Sequence, residues 1–161
     1  MSPDDLALLT RRQAGFDAFY EALIPTLVEF AGLMGVQPAH EVLTNANAFI
    51  PSLEKSLRDM AVSVQEDRAW LLLRVGQFIG EAFVQKYSGC WYVNDIEGSR
   101  YFARYVVGRF TGLGTVVPML DPFEVAQAFV DTPGLRNLQS LLDEVDAELV
   151  RTASSLARDL G

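Results

Sequence analysis

Arg74, Gln77, Glu81 and Gln85 are spaced three and four residues apart, which places their side chains along one stripe of an α-helix. A carboxylate in such a stripe can accept hydrogen bonds from a ligand, or exchange a proton with it, when a wall removes it from water. The aromatic residues that follow, Trp91, Tyr92, Tyr101 and Tyr105, are of the kind that builds such walls. Two readings stand side by side. The stripe is the solvent face of its helix, or it lines a cleft between that helix and the segment after it. In the second reading Glu81 is the group able to do chemistry, and Arg74, Gln77, Glu81, Trp91, Tyr92, Tyr101 and Tyr105 are the candidate binding residues. No residue is assigned a catalytic role.

On the same helix Trp70, Leu73, Gly76, Gly80, Phe83 and Tyr87 share another side. Each glycine costs a helix about 1 kcal/mol relative to alanine. Close approach of a neighbouring element offsets that cost, so packing accounts for Gly76 and Gly80.

Other chemistries lack their parts. With one histidine, His40, and one cysteine, Cys90, the multi-ligand zinc sites built from those residues cannot be assembled in one chain. No serine stands in a G-x-S-x-G setting, and the phosphate-cradling patterns G-x-G-x-x-G and G-x-x-x-x-G-K-[ST] are missing. Asp95 and Glu97 near Gly98 lack the later ligands of a calcium loop. No cofactor and no metal are expected.

The elements that would position the stripe can be read from periodicity. Phe16, Phe19, Tyr20, Leu23, Leu27, Phe30, Ala31 and Met34 mark a first amphipathic helix that ends at Gly35, bent or divided at Pro25. Ile50, Leu53, Leu57, Met60, Ala61 and Val64 mark a second, with Pro51 in its first turn. The third, about residues 67–87, carries the stripe and is apolar on most sides, which makes it central. From Cys90 the pattern changes to aromatic and β-branched residues. Residues 91–93 and 101–107 flank a turn at 94–99, and residues 115–117 supply a third strand. Asp121-Pro122-Phe123-Glu124 has a cap, a proline for the first position and a glutamate for a capping-box-like pair. The last helix runs from Leu135 to Leu160 with Leu135, Leu142, Leu149 and Leu156 seven apart, and Asp143, Glu144, Asp146 and Glu148 on a solvated face. The expected fold is α+β and mainly helical. A small antiparallel hairpin or three-stranded sheet at about residues 90–118 packs against the helix at about 67–87, in one domain spanning residues 1–161.

Composition sets the outer limits. The chain has 161 residues, half of them hydrophobic and ten of them Phe, enough for a core without disulfide or metal. Acidic residues outnumber basic ones 21 to 13, a net charge of -8. The basic groupings Arg11-Arg12 and Arg100/Arg104/Arg109 are interrupted, which argues against nucleic acid as a partner. The acidic start Ser2-Pro3-Asp4-Asp5 is unlike a secretory leader and one cysteine forms no internal disulfide, so a cytoplasmic location is expected. The longest apolar candidate for a membrane span, Phe16 to Val36, is broken by Asp17, Glu21, Pro25 and Glu29, and no membrane partner is expected.

The run Ile79-Gly80-Glu81 into Gly89-Cys90-Trp91, followed by a hairpin and Asp121-Pro122-Phe123, resembles small uncharacterised bacterial domains, some of them immunity or accessory proteins beside toxins. The resemblance covers about residues 70–130. It implies a protein partner and carries over no catalytic residue. The functional expectation is therefore a non-enzymatic cytoplasmic interaction protein, an immunity-like or regulatory binder. The alternative is a small-molecule-binding domain or an enzyme using Glu81 in a helix-hairpin cleft. The leucines of the last helix also suit a second copy of the chain, so a homo-oligomer through that helix is a further expectation.

Overall fold

A computed structural model of the protein describes residues 1–160. Helix α1 (Pro3–Leu33) begins well before Phe16. Ser2 accepts a hydrogen bond from the Asp5 amide at 3.1 Å, Pro3 takes the first turn, and Asp4 and Asp5 sit where the helix dipole favours negative charge. Ser2, Pro3, Asp4 and Asp5 are thus a helix start. The element runs through Pro25 undivided and ends at Gly35, whose φ of +89° lets Val36 donate back to the Ala31 carbonyl.

Short turns surround α2 (Val42–Asn45) and lead into α3 (Ile50–Leu57). The second helix was expected to reach Val64 and stops at Leu57 instead. Its last carbonyls are taken by a residue far along the chain: the Arg136 side chain donates to Leu57 and Met60, and the Arg136 amide donates to Arg58. The expected apolar positions Ala61 and Val64 are accordingly exposed. Helix α4 (Gln65–Tyr87) ends at Ser88 in the left-handed conformation.

The sheet has the order β1 (Cys90–Val93), β2 (Tyr105–Gly108), β3 (Met119–Leu120), antiparallel throughout, with Trp91 opposite Val107 and Val107 opposite Leu120. Both later strands are displaced from expectation. Tyr101, Phe102 and Ala103 form a turn rather than strand, held by buried Asn94, whose amide donates to the Arg104 carbonyl and whose carbonyl accepts from the Ala103 amide. Thr115–Val117 lie before β3, not in it.

Asp121 caps α5 (Pro122–Val130), accepting from the amides of Phe123 at 2.9 Å and Glu124 at 3.3 Å. The Glu124 side chain does not complete the expected pair; it turns to Arg100 and Arg104. Helix α6 (Leu138–Leu160) starts after Leu135, where Asn137 accepts from the Ser140 amide. The protein is α+β and mainly helical, with the sheet against central α4. A continuous apolar core runs from Leu23 to Leu149, with Phe30, Phe78, Phe110 and Phe129 fully enclosed. No helix among the described residues is long and apolar enough to cross a membrane.

Candidate functional site

The glycines of α4 decide where the aromatic residues go. A Cβ on Gly80 would stand 1.9 Å from Cζ2 of Trp91, and one on Gly76 would stand 2.3 Å from Cδ1 of Phe123. The two rings therefore lie directly on the helix backbone, 5.9 Å apart, and Phe19 of α1 closes over both at 5.5 and 6.0 Å. Lying over Gly80 brings the indole N–H of Trp91 to Glu81 Oε1 at 3.1 Å. Burial pushes the Glu81 carboxyl above its ordinary value, and hydrogen bonds from Trp91 and Gln85 oppose the rise.

Gln85 and Gln77 of the stripe serve the interior as well, while Arg74 stays at the helix surface. Gln85 accepts from the Ala46 amide at 2.7 Å and donates to the Val42 carbonyl at 2.9 Å, fixing the α2 region to α4. Gln77 is 2% exposed, and its Oε1 has no hydrogen-bond partner. Arg74 lies on the Trp70 ring at 4.3 Å and donates to the Trp70 carbonyl. Where the hairpin meets α4, Trp91 fills the space that an open cleft would need.

The tyrosines are dispersed. Tyr92 lies under the Arg109 guanidinium at 4.0 Å, and burial raises its pKa against the pull of Arg109. Tyr101 has Arg100 and Arg104 over its ring at 5.0 and 5.8 Å; burial raises its pKa while Arg100 lowers it. Tyr105 packs on Phe19 at 4.6 Å and sends its hydroxyl to the Arg12 carbonyl at 2.8 Å. Gly15 leaves the path for that hydroxyl, since a Cβ there would stand 2.9 Å from it.

Two cavities flank this corner of the molecule. The first, of about 480 Å³, lies among β3, α5, α6 and the loop before β2. Its walls are apolar, including Met119, Val125, Leu141, Val145 and Leu149, and Arg100, Tyr101, Glu124 and Glu148 supply its polar groups. The second, of about 420 Å³ and open to solvent, is lined by Phe19, Leu73, Tyr105, Phe123, Arg12, Arg104 and Asp121. A charged ridge stands between them. Arg104 Nη1 lies 3.0 Å from both Asp121 Oδ2 and Glu124 Oε2, and Arg100 pairs with Glu124. Burial works against the charge on Arg104, but its bonds to Asp121 and Glu124 outweigh that and hold its pKa above the ordinary range.

Of the residues singled out by sequence, Tyr101 lines the first cavity and Tyr105 the second, while Arg74, Gln77, Glu81, Trp91 and Tyr92 line neither. Sequence reasoning passed over Arg12, Arg104, Asp121 and Glu124 as site residues. Arg100 and Arg104 are one helical turn apart in number yet sit in a loop, and Asp121 and Glu124 read as a helix start. Only the meeting of that loop with the start of α5 makes the ridge. Among the described residues no three His, Cys, Asp or Glu side chains are grouped to hold a metal ion. No family model, no curated protein and no solved structure matches the chain.

Proposed function

We propose that the protein acts by binding, as a cytoplasmic, immunity-like or regulatory partner of another protein, and that the first cavity receives an apolar side chain of a basic partner. The observation that carries this reading is the shape and chemistry of that cavity: apolar walls from β3, α5 and α6 with Glu148 among its polar groups, Glu124 being already paired with Arg100 and Arg104. The net charge of -8 favours encounter with a basic surface and disfavours nucleic acid. The expected resemblance of residues 70–130 to small bacterial domains, some of them immunity or accessory proteins beside toxins, is in keeping with a protein partner. The alternative, chemistry at Glu81, would need that carboxylate released from Trp91.

Ala128 lines the cavity from an exposed turn of α5, so Ala128→Trp fills the space without entering the core. Wild type and Ala128→Trp are used side by side as baits in a native lysate, with salt steps to release what is held. A basic protein retained by wild type and lost by the filled variant is the expected result. Identical sets retained by both baits would remove the cavity from the reading.

A further inference from the structure

The second cavity has a different chemistry, and its reading does not depend on the first. Arg12 makes no ion pair and no side-chain hydrogen bond among the described residues; its guanidinium lies 6.0 Å from the centre of the Tyr105 ring, and its carbonyl accepts from the Tyr105 hydroxyl. Arg104 meets both its carboxylates through one nitrogen, Nη1, which leaves Nε and Nη2 to donate elsewhere. Asp121 is the opposite case. Its Oδ1 takes two amides of α5 and its Oδ2 takes Arg104, so it has little left to offer a ligand. On the lining itself two guanidiniums less one carboxylate leave a charge of +1, with Glu124 beyond it on Arg104 Nη1, in a chain whose net charge is -8.

Around these donors the walls are the rings of Phe19, Tyr105 and Phe123 together with Leu73, with Phe19 4.6 Å from Tyr105 and 6.0 Å from Phe123. A guanidinium is planar and donates in pairs, which suits a carboxylate, while ring walls suit a flat apolar body. The volume of about 420 Å³ is in the range of small-molecule sites. We infer that this cavity binds a small aromatic carboxylate, its ring against Phe19, Tyr105 and Phe123 and its carboxylate between Arg12 and Arg104.

The inference is tested by calorimetric titration of naphthalene-2-carboxylate and of naphthalene-2-carboxamide, which has nearly the same shape without the charge. Wild type should hold the carboxylate at least about tenfold more tightly than the amide, as expected for a charge-assisted pair. Arg12 is exposed and its guanidinium makes only a distant contact with the Tyr105 ring, so Arg12→Gln should stay folded, lose about tenfold toward the carboxylate and keep its affinity for the amide. Arg11→Gln, one residue away and outside the lining, should bind as wild type does. Ala128→Trp, which fills the first cavity, should also bind as wild type does. The inference fails if neither probe binds at millimolar concentration, if the two bind alike, if Arg12→Gln leaves carboxylate affinity unchanged, or if Ala128→Trp abolishes it. The last result would place the ligand in the first cavity.

Discussion

Gly80, Glu81 and Trp91 form one unit in which each residue explains another. The missing side chain at Gly80 admits the indole, the indole N–H reaches the next residue along, and Glu81 is drawn out of water by the ring it binds. Gly80→Ala places a methyl group where the ring already is. The ring is held between the helix, Phe19 and Phe123 and has little room to yield. The helix gains about 1 kcal/mol of propensity, yet the protein should lose about 1–3 kcal/mol overall, read from urea denaturation together with a shift of tryptophan fluorescence. An unchanged or raised stability would show that the indole moves freely. Glu81 makes a prediction of opposite sign. Its folded pKa is raised above the unfolded value, so between the two the native state keeps a proton that the unfolded state has released. Stability therefore falls as pH rises through that window, and ionised Glu81 subtracts from stability at neutral pH. Glu81→Gln retains a carbonyl acceptor for Trp91 and removes the charge. Its urea midpoint should equal that of wild type at about pH 4 and exceed it at about pH 7. A variant weaker than wild type at neutral pH would mean that the ionised carboxylate is favoured where it stands.

At the scale of elements, Arg136 closes two helices at once. Its guanidinium donates to Leu57 and Met60 at the end of α3 and to Val130 at the end of α5, with the residue only 8% exposed. A buried cation with no ion-pair partner, only the more distant charge of Asp131, is held here by carbonyls at the negative ends of two helix dipoles. Arg136→Leu removes the donors to Leu57, Met60 and Val130, of which Leu57 alone keeps another, the Met60 amide, for a loss of at least about 2 kcal/mol. Arg136→Lys should recover only part of this, since an ammonium cannot spread its donors across two helix ends. Full recovery by lysine, seen as equal thermal midpoints, would show that charge alone matters. Arg136 also marks the limit of what sequence shows about elements. The apolar stripe of residues 50–64 continues past Leu57, and nothing local stops it; the stop comes from a residue of a distant loop. The stripe of α4 and the cap at Asp121 were legible because their causes are local: periodicity in one case, an Asp-Pro start in the other. The turn at residues 101–103 was hidden because Asn94, across the hairpin, holds it. The two cavities were less legible still. Each takes its lining from several elements far apart in number, so Tyr101 and Tyr105 could be suspected as aromatic walls while Arg12 and Glu148 carried no signal of their neighbours.

At the scale of the whole molecule, the seven-residue leucine spacing of α6 serves more than one surface. Leu142 and Leu149 are buried in the chain's own core, Leu156 is half-buried, and Leu135 stands exposed before the helix begins. Asp146, read as part of a solvated face, is also tied inward. It accepts from the Tyr87 hydroxyl and pairs with Lys86 at 3.2 Å, and the Tyr87 pKa is pushed up to about 12 by burial first and by Asp146 second. A second copy of the chain would thus have to dock on what remains outward, such as Val150, without displacing the core leucines. Leu149→Asp separates the two uses of the helix. Leu149 is 5% exposed, so a carboxylate there enters the core; the variant should lose about 4 kcal/mol or more, with the same loss at every protein concentration. If the leucine instead served an interface, the variant would remain folded at the mass of one chain, while wild type sedimented as two. Circular dichroism with sedimentation of both proteins decides: an unfolded Leu149→Asp at all concentrations assigns the leucine to the core, and a folded monomeric variant of a dimeric wild type assigns it to a partner.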